Sequence, residues 1–258
     1  MKTPSPAILQ IENLRMVFGG LVAVDDVNFT LKHGEIAAII GPNGAGKTTV
    51  FNCASGFYRP SAGKILLDGH DITGKPSHVI AGYGLTRTFQ NIRLFRDMTV
   101  VENLLVARHN AMNRSYLGGI FRTSAYQTSE RAAKNEAVKW LSVFGLRAFA
   151  NHEAGSLAYG QQRRLEIARC MMTSPKVLIL DEPAAGLNPS ETAELADLIR
   201  LLRNKYAVSI LLIEHDMSLV MNLSEHIMVM EYGRPIAYGT PEEIRTNPAV
   251  IKAYLGEE

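Results

Sequence analysis

Gly41-Pro42-Asn43-Gly44-Ala45-Gly46-Lys47-Thr48 sets four residues between its outer glycines, then a lysine and a hydroxyl side chain. That spacing lets successive backbone N–H groups converge on phosphate oxygens. The run Ile36-Ala37-Ala38-Ile39-Ile40 precedes it, short and wholly apolar, as in a strand buried on both faces. Thr49-Val50-Phe51 then opens a helix, whose positive end favours an anion. On this reading Gly41 to Gly46 and Thr49 wrap a nucleotide's phosphates. Lys47 reaches the β- and γ-phosphates, and the Thr48 hydroxyl coordinates Mg²⁺.

A second buried strand, Val177-Leu178-Ile179-Leu180, ends in Asp181-Glu182. Parallel α/β sheets bind ligands at the carboxyl ends of their strands, so these two acids fall where the phosphates would lie. Asp181 is assigned to Mg²⁺ and Glu182 to orienting and polarising the attacking water. A third apolar block, Ile210-Leu211-Leu212-Ile213, follows a helix whose Leu195, Leu198, Ile199 and Leu202 share one face. That helix has a marked start: Asn188 as cap, Pro189 in the first turn and Glu191 three residues after the cap. Strand, helix, strand predicts a parallel pair joined by a crossover.

Elsewhere the patterning changes. Val27, Phe29 and Leu31 alternate with polar residues as a half-buried strand does, ahead of the His33-Gly34 turn. From Arg87 to Ser174 the chain reads as a helical insertion. Thr99 and Glu102 have capping-box spacing before Val101, Leu104 and Leu105, and Arg131 to Leu141 is again helical. Asn110 to Glu136 is polar and contains Gly118-Gly119. Strands return at Ile227–Met230 and Ile236–Tyr238, and Thr240-Pro241-Glu242-Glu243 caps a final helix. Domain boundaries follow: 8–86 and 175–258 as α/β core, 87–174 as helical subdomain, all within one unit of 1–258.

Composition narrows the classes. Lysine plus arginine is 27 against 25 acids, a net charge of +2, so bulk charge offers nothing to a nucleic acid. No apolar run approaches the roughly 18 residues of a membrane span, and Met1-Lys2-Thr3-Pro4-Ser5-Pro6 does not open a signal peptide. Two cysteines, Cys53 and Cys170, form no metal cluster and read as buried thiols of a reducing cytoplasm.

The segment Leu157-Ala158-Tyr159-Gly160-Gln161, ending 20 positions before Asp181, narrows the class of phosphate-loop nucleotidase. Here the chain resembles the ATP-binding cassette family, whose signature reads Leu-Ser-Gly-Gly-Gln. The other family marks stand in order: Phe18 before Gly19-Gly20, Gln90, Ala185-Gly186-Leu187-Asn188 and His215. Within the family the closest likeness is to an ATP-binding subunit of bacterial uptake systems for branched-chain amino acids. It rests on Asn43 to Asn52, Arg87-Thr88-Phe89-Gln90, Leu94-Phe95-Arg96, Leu157 to Arg169, the polar insertion after Arg108, and the ending Ala253-Tyr254-Leu255-Gly256.

The resemblance implies an α/β fold: a P-loop NTPase core of the ABC type with an N-terminal antiparallel β subdomain and an inserted helical subdomain. It implies ATP hydrolysis with ATP and Mg²⁺, Phe18 stacked on adenine, Gln90 touching Mg²⁺ and water, and His215 on the γ-phosphate. Leu157, Ala158, Tyr159, Gly160, Gln161 and Asn188 would act on the nucleotide of a second cassette paired head to tail. Gly160 would open a helix striped by Leu165, Ala168 and Met172. Ala158 and Tyr159 depart from the usual serine and glycine, removing a hydroxyl from the phosphate contact.

Implied partners are two transmembrane permease subunits, a second ATPase subunit or a second copy of this chain, and indirectly an extracytoplasmic solute-binding protein. The site of work would be the cytoplasmic face of the membrane. Leu94 and Phe95, between Arg93 and Arg96, are the expected docking pair. The alternatives are a cassette of another solute system, such as urea or lipopolysaccharide, and a cassette ATPase acting on DNA or ribosomes.

Overall fold

A computed structural model describes residues 6–108 and 124–255. The opening Met1 to Ser5, most of the polar stretch with Gly118-Gly119, and Gly256 lie outside those residues. Strands β1 (Ala7–Phe18), β2 (Leu21–Lys32), β4 (Ala62–Leu67) and β5 (His70–Asp71) form an antiparallel sheet in the order β2-β1-β4-β5. The second sheet contains β3 (Ile36–Ile40), β6 (Leu85–Arg87), β7 (Val177–Asp181), β8 (Ser209–Ile213), β9 (His226–Glu231) and β10 (Arg234–Gly239). Its order is β10-β9-β3-β8-β7-β6, parallel throughout except for β10 at the edge.

The unbroken apolar strands have a simple cause. Side chains alternate across a sheet, and both faces of this one are covered. Ile36, Ala38, Ile40, Leu178, Leu180, Ile210 and Leu212 enter one core, while Ala37, Ile39, Val177, Ile179, Leu211 and Ile213 enter the other. The second core is closed by the antiparallel sheet and helix α1 (Lys47–Ala54).

The first core is closed by helices. These are α3 (Val100–Arg108), α4 (Ser124–Val143), α5 (Tyr159–Met171), α6 (Pro189–Tyr206), α7 (Met217–Leu223), α8 (Pro241–Thr246) and α9 (Pro248–Leu255). Helix α2 (Ser77–Tyr83) instead sends Ile80 into the second core.

The expected caps are present. Thr99 Oγ1 accepts from the Glu102 N–H at 3.3 Å, and Asn188 Oδ1 accepts from the Glu191 N–H at 3.0 Å. Three expectations need correction. Helix α4 begins at Ser124, ahead of Arg131, because its polar first turns lack the apolar period that would announce them. The helix capped by Thr240 is not the last: Asn247 accepts from the Ala249 N–H at 2.9 Å and starts α9. Of the two cysteines Cys53 is buried but Cys170 only partly so; its Sγ–H donates to the Arg87 carbonyl at 3.7 Å. Burial pushes the Cys53 thiol up to about 11 and Cys170 to about 12, so neither is a reactive thiolate.

Candidate nucleotide site

At the carboxyl end of β3 the loop Gly41–Gly46 turns into α1, with Gly41, Gly44 and Gly46 all at positive φ. Gly41 and Gly46 admit no substitute: a Cβ would lie 2.1 Å from the Met230 carbonyl oxygen at the first and 2.6 Å from the Ala23 carbonyl oxygen at the second. The loop forms one wall of a cavity of about 430 Å³, lined also by Lys47, Thr48, Thr49, Leu21–Ala23, Tyr232, Gly233 and Glu182. Lys47 Nζ donates to the carbonyls of Gly41 at 2.6 Å and Pro42 at 2.9 Å. Burial pulls the Lys47 ammonium below its usual range, and the Glu182 carboxylate pulls it back.

Glu182 is the first residue after β7 and sits at φ 44°, a left-handed conformation uncommon outside glycine. Its N–H is anchored on the Ile213 carbonyl at 2.9 Å. The side chain accepts from Gln90 Nε2 at 2.8 Å, and His215 Nδ1 stands 3.9 Å away. Gln90 and His215 therefore converge on Glu182, which lines the cavity, although the three are far apart in the chain. Phe18 stands outside the cavity lining, with its ring edge-on to Tyr58 at 5.3 Å. It pairs in register with Leu21, which does line the cavity.

Asp181 is buried and carries an ion pair that its motif does not announce. Arg87 donates to Asp181 Oδ2 at 2.5 Å, to Asn52 Oδ1 at 2.7 Å and to Ser55 Oγ at 3.2 Å. The Asp181 N–H donates to Thr88 Oγ1 at 3.2 Å. Its other carboxylate oxygen is not part of that ion pair. That oxygen, the hydroxyl of the exposed Thr48 and the Gln90 amide oxygen are hard donors of the kind Mg²⁺ takes when phosphate and water supply the rest.

Segment 157–161 contributes nothing to this cavity. Ala158 is the N-cap of α5 and offers no side-chain acceptor; only the reverse half of a capping box forms, Ala158 N–H to Gln161 Oε1 at 3.2 Å. Tyr159 leans on Gly186, where an added Cβ would meet its ring at 3.1 Å, and Gly160 abuts Leu187 and Glu191. The first turn of α5 thus packs on the loop 185–188 of its own chain. Asn188 performs the capping expected of it. Leu165, Ala168 and Met172 are buried as expected.

Glu214 and Tyr232, like the Arg87–Asp181 pair, carry no signal in the sequence. Glu214, fully buried beside His215, accepts from Ala184 N–H at 2.8 Å and His215 N–H at 3.1 Å, tying the loops that carry Glu182 and His215. Burial pushes its carboxyl above the usual range. Tyr232, 89% exposed in the β9–β10 turn, forms part of the cavity rim. The expected docking pair is divided: Leu94 packs inward on the first core, and only Phe95 faces outward. Phe95 is held through its backbone, with N–H to Asn103 Oδ1 and O to Asn103 Nδ2, each at 3.0 Å.

The ABC transporter family description matches residues 24–185, and that of the branched-chain amino acid ATP-binding cassette transporters matches 234–258. The high-affinity branched-chain amino acid transport ATP-binding protein BraF of Pseudomonas aeruginosa is 59% identical, over 98% of this chain and 99% of its own. LivG of Escherichia coli, also a high-affinity branched-chain amino acid transport ATP-binding protein, is 55% identical over 98% of this chain and 99% of its own. Among solved structures, the ADP conformation of the cassette MJ1267 of an ABC transporter superposes with a TM-score of 0.85. It is 33% identical and covers 98% of this chain and 100% of that one.

Proposed function

The chain belongs to the ATP-binding cassette transporter ATPases, and from that membership we propose that it is the ATP-hydrolysing subunit of a branched-chain amino acid importer. The observation that carries the reading is the meeting of Gln90 and His215 at the carboxylate of Glu182, which lines the phosphate-loop cavity. Near-complete likeness to BraF and LivG supports the choice of solute.

The loop N–H groups and Lys47 hold the triphosphate, and Phe18 stacks on adenine beside Leu21. Thr48, Asp181 and Gln90 would hold Mg²⁺, which would supply charge neutralisation at the phosphates. Glu182 takes the proton of a water that Gln90 helps position, and His215 contacts the γ-phosphate. Lys47 and the helix end spread the charge that develops. A second cassette, or a second copy, presents its own signature across the cavity. This chain's Leu157–Gln161 and Asn188 face the other nucleotide in return. Ala158→Ser adds a phosphate donor and completes the cap of α5. It is expected to raise the ATPase rate of the assembled transporter about tenfold, the kinetic equivalent of ~1.5 kcal/mol. An unaltered rate would mean that the missing hydroxyl is not limiting.

Residues 8–86 and 175–258 serve as catalytic core and 87–174 as the arm that meets the membrane subunits. Among the described residues no helix is long and apolar enough to cross a bilayer. Membership in a transporter family supports the reading that the chain works at the cytoplasmic face of the membrane on two permease subunits. A groove of about 320 Å³ between Phe57, Phe89, Arg87 and Arg169 adjoins Phe95 through the Arg169 guanidinium, 5.8 Å from its ring, and receives a permease segment. Phe95→Asp is expected to abolish transport while nucleotide affinity stays within twofold of the parent. Loss of ATP binding in that variant would refute docking.

The reading as a whole is tested by purifying the tagged chain from gently solubilised membranes and identifying its companions. Two polytopic membrane proteins with a second cassette are expected. Ribosomes, DNA or no membrane partner would overturn the transporter assignment and leave the ATPase.

A further inference from the structure

Within α5, Arg163 is fully buried, an expensive place for a permanent cation. Its guanidinium donates to the carbonyls of two consecutive residues, Phe89 at 2.8 Å and Gln90 at 3.0 Å. It also donates to Glu166 Oε2 at 3.1 Å and to the Tyr159 hydroxyl at 3.4 Å. Glu166, equally buried, accepts from the Arg93 N–H at 3.2 Å through its other oxygen. The main chain from Phe89 to Arg93 is thus held at both ends by one helical turn. Gln90's side chain leaves that held backbone and donates to Glu182.

A buried ion pair is a poor way to add stability, since apolar residues of similar size commonly do as well. What the planar fork of an arginine supplies is fixed geometry toward two acceptors. The fork begins one helical turn from the N-terminus of α5, which carries the signature. A rigid path therefore runs from that N-terminus through Arg163 and the Gln90 backbone to the Glu182 carboxylate.

We propose that Arg163, braced by Glu166, is a positioning residue that makes Gln90 follow the signature helix. Engagement of the second nucleotide at α5 then sets the Gln90–Glu182 contact in this chain's own site. This rests on the roles given above to Gln90, Glu182 and the signature. The two hydrolytic sites are wired through one side chain.

The test is a double-mutant cycle on the assembled transporter. Arg163→Lys keeps the charge and loses the fork; it is expected to lower kcat about tenfold with KM for ATP within twofold. In a Gln90→Ala background the same change is expected to have no further effect, because the residue it positions is gone. Arg163→Gln guards against a folding defect: burial pushes the Glu166 carboxyl up while Arg163 pulls it down, so removing the guanidinium moves the carboxyl further toward its neutral form. The same pattern is expected of it, with the melting temperature recorded for each variant.

An undiminished kcat in both Arg163 variants overturns the proposal. So does a loss of equal size with and without Gln90, which marks a merely structural residue. A full rate in Gln90→Ala alone also overturns it, and identifies the assignment of Gln90 as what failed.

Discussion

Glu182→Gln should leave ATP bound and stop its turnover. Removing the proton acceptor is expected to slow hydrolysis about 10²–10⁴-fold while the cavity keeps its shape. The geometry explains why the isostere tests chemistry rather than folding. Glu182 is placed by its backbone, with the N–H on Ile213 O at 2.9 Å and φ of 44°, and both are indifferent to the side-chain amide. A glutamine oxygen can still accept from Gln90 Nε2. The change also removes the carboxylate that holds up the Lys47 ammonium, leaving the downward pull of burial unopposed. Nucleotide affinity is nonetheless expected to hold, since the loop amides are unchanged. Single-turnover hydrolysis by the assembled transporter, with gel filtration in ATP, checks both halves: little product, and a persistent ATP-bound dimer. Normal turnover would assign the base elsewhere.

The second large effect is on stability. Arg87→Ala is expected to destabilise the chain by about 3–5 kcal/mol, the usual result of stranding one member of a buried ion pair. Both partners are enclosed, with side chains 4% and 8% exposed. The guanidinium also satisfies Asn52 and Ser55, so one truncation leaves three acceptors short of a donor. Neutralising both partners, as Arg87→Met with Asp181→Asn, is expected to recover most of the loss because no charge is then buried. Urea denaturation of the two variants beside the parent reads the difference. A loss under about 1 kcal/mol for Arg87→Ala would place the pair among solvated bridges of little worth.

Much of this was legible beforehand because it is local. Phosphate-loop spacing, apolar strands and caps at Thr99, Asn188 and Thr240 are written within a few residues of one another. The parallel sheet followed from them, since strands without alternation must be covered on both faces. What stayed hidden depends on residues brought together from afar. Arg87 meets Asp181 across 94 positions, and nothing around Arg87 distinguishes it from a surface arginine. Arg163 and Glu166 look like ordinary helix surface, charged and spaced by three, yet the segment 89–93 folds over them. Leu94 and Phe95 are adjacent and both apolar, and which of them turns inward is set by contacts with distant elements, the core under Leu94 and Asn103 on the Phe95 backbone. The site was half visible for the same reason. Loop and strand-end acids were read from spacing, whereas the neighbours that fix Glu182, Gln90 and His215 come from other elements.

The placement of β3 at the middle of its sheet has a consequence during synthesis. Its two neighbours are β8, at residues 209–213, and β9, at 226–231. At ribosomal speeds of roughly 5–20 residues per second, the five-residue apolar strand Ile36–Ile40 waits on the order of 10–30 s for either edge to be made. Through that interval both its edges are open to any strand that meets them. Non-local pairing of this kind is slow to form even once the chain is complete. A nascent chain halted before Ser209 would hold its most apolar strand without either of its pairing partners.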